Sequence, residues 1–156
     1  MAVPAADQQY VDRLRRFIKD EEAINTLLEA EENTDEFLYE CLEDAIQEIN
    51  WKYMPTTEYV FSDISFTGNS GLPWIIAKNG AVLKFLTGAG IHSARNTFSY
   101  SDGSGIQVTD TDTWGRYINF FNVLKSTYET MAKSFKLKKN IEDCYGGVAS
   151  QYDTLS

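Results

Sequence analysis

Few residues in this 156-residue chain carry reactive chemistry. His92 is the single histidine, and Cys41 and Cys144 are the two cysteines. A Cys144 nucleophile would need a base, and His92 is the one histidine that could serve. The plain reading of Cys144 is a partly buried structural cysteine. Carboxylates stand together at Glu43 and Asp44, and at Asp110 and Asp112. Each pair has the composition of an acid/base couple, yet such residues serve far more often as solvated helix faces or caps. One histidine excludes metal sites built on several His and Cys ligands. GxSxG, HExxH, CxxC and a phosphate loop ending in Gly-Lys-Ser are absent. Gly88-Ala89-Gly90 is a bare GxG and reads as a helix terminator. These residues assemble no nucleophile, base and orienter, and the expectation is a protein without catalytic residues, cofactor or metal.

Charge is more informative. The chain holds 14 Lys and Arg against 23 Asp and Glu, a net charge of −9. Residues 1–54 contain 14 acids and 5 bases, and residues 55–156 contain 9 of each. The whole excess therefore lies in the first third. Four lysines, Lys133, Lys136, Lys138 and Lys139, cluster near the other end. No aromatic ladder accompanies them, so a solvated helix end is favoured over a phosphate site. Lys136, Lys138 and Lys139 are also candidates for contact with the acidic third of a neighbouring copy.

The elements that position these groups read as mainly helical. Tyr10, Val11, Leu14, Phe17 and Ile18 make an apolar stripe over about 7–19, with Arg13, Arg15 and Arg16 mostly off it. Asp20 is placed to cap a short helix using Ala23, Ile24, Leu27 and Leu28. Asn33 and Thr34 are capping candidates for a helix over 34–53, with Leu38, Leu42, Ala45 and Ile49 buried. Residues 55–73 suggest a loop with one short strand. A third helix starts near Pro73, buries Ile75, Ile76, Val82, Leu83 and Leu86, and stops or bends near Gly88 and Gly90. Residues 96–110 form a hairpin around SDGSG. In the last helix, Tyr117, Phe121, Leu124, Tyr128, Met131 and Phe135 step by 4, 3, 4, 3 and 4, widened by Ile118 and Phe120. From 113 to 139 it would measure about 40 Å, close to the diameter of a domain this long. Its final turns would carry the lysines, against the negative end of the dipole. The expected architecture is a bundle of about four helices with an inserted hairpin. One domain covers 1–139, and an extended tail follows over 140–156.

The order of segments then becomes specific. VDRLRRFIKD, EAEENTDEFLYECLEDAIQEIN, HSARNTFSYSDGSGIQVTD and KLKKNIEDCYGGVASQY follow one another. Within them stand ARN-x-x-x-Y-SDG at 94–103 and N-I-E-x-C-Y-G-G-V-x-S-x-Y at 140–152. Together they resemble the small virion proteins at the head-to-tail connector (adaptor or neck) of tailed bacteriophages. The resemblance covers most of the chain, although SDGSG is longer than the turn usual in such proteins. It implies a structural protein that forms a cyclic, dodecameric ring below the portal and links capsid to tail. Its partners would be itself, the portal protein and the next neck or tail protein, with DNA passing through as cargo and no membrane. It would be made in the host cytoplasm and reside in the virion neck. Arg95, Asn96, Tyr100, Asp102 and Gly103 would shape a hairpin contact arm. Cys144, Tyr145, Gly146, Gly147 and Tyr152 would be tail contacts. The acidic helices at 20–53 and the lysine-rich end at 125–139 would supply the two unlike flanks a ring needs. The alternative from another class is a small acidic regulator or inhibitor that mimics nucleic acid.

Overall fold

The computed structural model describes residues 2–21, 33–67, 71–95, 99–101, 107–109 and 111–145. Four helices dominate: α1 (Gln8–Ile18), α2 (Asp35–Trp51), α3 (Trp74–Arg95) and α4 (Thr111–Tyr145). Two small sheets separate them. β1 (Ile64–Ser65) and β2 (Leu72–Pro73) pair in parallel, and β3 (Ser99–Ser101) and β4 (Gln107–Thr109) pair antiparallel. The mainly helical bundle with a hairpin is therefore the observed fold. The helix expected after Asp20 lies outside the described residues, as does the segment from 146 onward.

The local reasons follow from sequence. Thr34 caps α2: its hydroxyl accepts from the Phe37 N–H at 3.3 Å, filling one of the donors a helix start leaves open. Asp35 and Glu36 occupy the first turn, where the dipole favours negative charge. Leu38, Leu42, Ala45 and Ile49 are buried as their spacing requires, joined by Cys41 and Ile46. They meet Val11 and Leu14 of α1 and Ile76, Ala77, Ala81, Val82 and Leu83 of α3 in one core. Each fully buried Leu or Ile contributes on the order of 1.5–3 kcal/mol.

The described residues of 55–73 hold more than a loop with one strand. A 3₁₀ turn at Phe61–Asp63 leads into β1, and the chain returns as β2 in register Ile64 with Leu72. Gly71 makes the return possible. Its φ is +81°, and a Cβ there would lie 2.2 Å from the Asp63 carbonyl oxygen, so no other residue fits. Pro73 belongs to β2 rather than to the helix. Tyr10 stacks on Phe66 at 5.4 Å and meets Trp74 at 5.9 Å, which ties this bridge to α1.

α3 also departs from expectation. It runs through Gly80, Gly88 and Gly90 without stopping, and Ile75 is exposed rather than buried. Gly80 shows why a glycine is tolerated there. A Cβ on it would lie 3.0 Å from Ala45 Cβ and 3.1 Å from the Tyr128 ring. The missing side chain lets α2, α3 and α4 approach closely, and that gain outweighs the propensity loss of about 1 kcal/mol.

α4 is longer than expected at both ends. Its 35 residues span about 52 Å. It buries Tyr128 and Ala132, with Phe121, Leu124, Met131 and Phe135 packed against the core. Phe120 stands outside the core, 71% exposed. Residues 140–145 are helical, so the extended segment does not begin at 140. The four lysines consequently sit before the last turn, which carries no base.

Helix propensity alone would make Gly80→Ala stabilising by about 1 kcal/mol. Overpacking against Ala45 and Tyr128 costs roughly 1–3 kcal/mol. Chemical denaturation is expected to show a net loss of about 1 kcal/mol; a gain would mean that the three helices are not held at this spacing.

Candidate assembly surfaces

Lys136 does not decorate a solvated tip. It is 1% exposed. Burial pushes its pKa down from the ordinary lysine value, and a buried ammonium must find acceptors. Its three donors reach the Pro55 carbonyl at 3.1 Å, the Asn50 carbonyl at 3.5 Å and the Thr57 hydroxyl. Asn50, at the end of α2, completes the network. Its side-chain amide donates to the Tyr59 carbonyl at 2.9 Å, while its oxygen accepts from the Tyr59 N–H at 2.8 Å. The Asn50 carbonyl also accepts from the Thr57 N–H at 3.1 Å. Two side chains thus hold the strap over 53–60 as a neighbouring strand would. Tyr59 closes it, its ring 5.9 Å from that of Phe135.

Along this strap the residues alternate. Tyr53, Pro55, Thr57 and Tyr59 are partly buried, and Met54, Thr56, Glu58 and Val60 are exposed. Trp51, two residues before the strap, is 80% exposed, and Met54 is 75% exposed. Large apolar groups on a rigid support, facing water, form a projecting edge of the kind interfaces use.

A second surface is concave. Phe17, Ile18 and Lys19 of the α1 end, Val82, Phe85 and Leu86 of α3, and Phe120, Val123, Leu124 and Thr127 of α4 line a groove of about 710 Å³. Val123 is 70% exposed. Lys78 covers the Phe17 ring, its ammonium 3.8 Å from the centroid. Arg15 and Asp20 brace one end of the groove. Arg15 is buried, contrary to its expected place off the apolar stripe. It donates to Asp20 at 2.9 Å, to the Asn33 carbonyl at 2.8 Å and to Asp35 at 2.7 Å. The Arg15 hydrogen bond holds the Asp35 carboxyl below its ordinary pKa despite partial desolvation.

The groove wall continues along the outer face of α4. Phe120, Val123, Thr127, Thr130, Ser134, Leu137 and Ile141 alternate steps of 3 and 4 and include no charge. Thr127 and Thr130 donate their hydroxyls to the carbonyls of Val123 and Ser126, so both threonines are satisfied within the helix. Sequence reading followed the richer buried stripe and passed over this one. A charge-free heptad flanking an identified core stripe is the available signal.

The other expected site residues are dispersed. Arg95 ends α3, and Tyr100 pairs with Val108 in the hairpin. Asn96, Asp102, Gly103, Gly146, Gly147 and Tyr152 lie outside the described residues. Lys138 and Lys139 both reach Glu142, at 3.7 and 3.6 Å. Tyr145 ends α4. Cys144 is exposed, with its thiol 3.6 Å from Asn140 Oδ1. Cys41 is buried, which pushes its thiol up to about 12. On α2, Glu48 binds Lys84 at 2.7 Å and Lys52 at 2.9 Å. Part of the acidic flank is therefore neutralised inside the subunit. Among the described residues no group of three His, Cys, Asp or Glu side chains is arranged to hold a metal. No helix among them is long and apolar enough to cross a membrane.

No family model, curated protein or solved structure matches this chain.

Lys136→Met keeps much of the side-chain length while leaving the strap's acceptors without their donor. It is expected to cost roughly 1–3 kcal/mol in denaturant unfolding and to open the strap to limited proteolysis near 53–60. Unchanged stability and cleavage would show that Lys136 does not hold the strap.

Proposed function

We propose that this chain is a non-enzymatic structural subunit of a bacteriophage neck, forming a ring below the portal that links capsid to tail. One observation carries the reading beyond the resemblance. A rigid helical frame presents two unlike apolar surfaces, a projecting edge and a groove. They meet α4 at Lys136 and Val123, about 20 Å apart along its axis. A cyclic ring needs two different, complementary flanks on each subunit. Apolar contacts of this kind stay unmatched in a monomer and are covered on assembly.

The basis of the contact differs from the one that charge alone suggested. Lys136 is buried and Lys138 and Lys139 are paired with Glu142. Charge pairing between the acidic third and the lysine cluster is therefore a minor contributor in this reading. The portal protein and the next neck or tail protein are the partners above and below the ring. The hairpin and the chain beyond Tyr145 are the segments that would reach them. The nucleic-acid mimic gains less support, because Asp35 and Glu48 are engaged by Arg15, Lys52 and Lys84.

Electron micrographs of the purified protein, alone and with portal protein, test the reading. Rings are expected, and they should persist from low salt to several hundred millimolar, since screening weakens exposed charge pairs but not apolar contacts. A strict monomer in both settings that competes with DNA for a DNA-binding enzyme would replace this reading with the mimic.

A further inference from the structure

The projecting edge and the groove differ in shape and in rim charge. The edge carries Trp51, Met54 and Val60 with one acid, Glu58, exposed among them. The groove is walled by Phe85, Phe120 and Val123, and its lining also holds Lys19 and Asp20, the latter buried and paired with Arg15. Lys19 is exposed on its rim, and Lys78 covers its Phe17 wall. An exposed apolar edge with an acid thus stands against a concave apolar groove with an exposed lysine on its rim. A groove of about 710 Å³ lies within the range that accepts a large ligand group, so it has room for an indole and a thioether together. Trp is among the residues that most often anchor interfaces when seated in such a pocket.

From this complementarity we infer that the occupant of the groove is a second copy of this chain. Trp51 and Met54 of one copy seat between Phe85, Phe120 and Val123 of the next, with Glu58 facing Lys19. The inference rests on the ring reading and gives it a subunit seam. The contact is heterologous: each copy uses its edge on one neighbour and its groove on the other. The Asn50 and Lys136 clamp gives the seam its economy. The strap is already fixed in the free subunit, so little ordering entropy is lost on docking. The acid-base rim adds register and orientation more than affinity.

Two variants separate the faces without disturbing the core, because Trp51 and Val123 are both mostly exposed. Trp51→Glu removes the edge and Val123→Glu blocks the groove. Circular dichroism and melting temperature verify that each remains folded. Sedimentation is then measured for the wild type, each variant and their equimolar mixture, with and without portal protein. The wild type is expected to assemble and each variant to remain monomeric. The mixture should form a one-to-one heterodimer and stop there, since Val123→Glu keeps an intact edge and Trp51→Glu an intact groove. An isologous contact on either face could not give that pattern. A mixture that stays monomeric overturns the seam. Rings that persist in both variants overturn the seam and leave the neck reading standing. A wild type that stays monomeric in both settings overturns both, and the groove then belongs to another occupant, such as residues 22–32 or an unrelated partner.

Discussion

A lysine ammonium inside a helical protein has to be met by oxygen atoms. In this chain that requirement organises the segment that follows α2. Lys136 lies on the core side of α4, and the helix backbone around it has no carbonyls to spare. The oxygens come instead from Asn50, Pro55 and Thr57. To deliver them, the chain leaving α2 must fold back over α4 as an extended strap. Asn50 then fixes the far end of that strap by pairing with both backbone groups of Tyr59. Once the inward side is committed, alternation along an extended backbone fixes the outward one. Glu58 and Val60 face water because Thr57 and Tyr59 face Asn50 and Phe135; Met54 lies before the extended stretch, next to Tyr53 at φ 65°, and is exposed there.

The same economy appears at the other surface. Arg15 joins the end of α1 to the start of α2 through Asp20, Asn33 and Asp35. It thereby holds Asp20 and Asn33 together beside the groove. A charge that composition assigns to the solvated surface is a structural strut. In both places a buried cation gathers backbone carbonyls from segments that hydrophobic burial alone would leave loosely placed. Apolar packing builds the bundle, and two cations set the shape of what the bundle presents.

Periodicity made much of the fold legible. The stripes of α1, α2 and α4, the Thr34 cap and the Asp-Gly hairpin follow from spacing and turn chemistry. The failures have physical causes. Gly88 and Gly90 suggest an end to α3, because propensity registers the entropic loss at a glycine but not close packing such as that of the Phe37 ring, 3.3 Å from where a Gly88 Cβ would stand. A lysine cluster suits a helix terminus and so favours an end at Lys139, whereas Ile141 and the helix-compatible run to Tyr145 continue α4. Sequence places Lys136 on a solvated helix end and Arg15 mostly off the apolar stripe, since a single sequence shows a charge but not the distant carbonyls that capture it. The edge and the groove were illegible for the same reason. Trp51, Met54, Phe120 and Val123 each look like ordinary apolar residues until the strap and the helix crossing place them in water.

The central claim is that the strap is held rigidly before any partner arrives. Amide hydrogen exchange in the free protein reads this directly at the N–H groups of Thr57 and Tyr59, whose acceptors are the carbonyl and side-chain oxygen of Asn50. Protection approaching that of the core amides in α2 and α4 is the predicted result, with both sites opening only when the helical body does. Exchange at the rate of an unstructured loop would contradict the account, because the edge would then have no fixed shape to present.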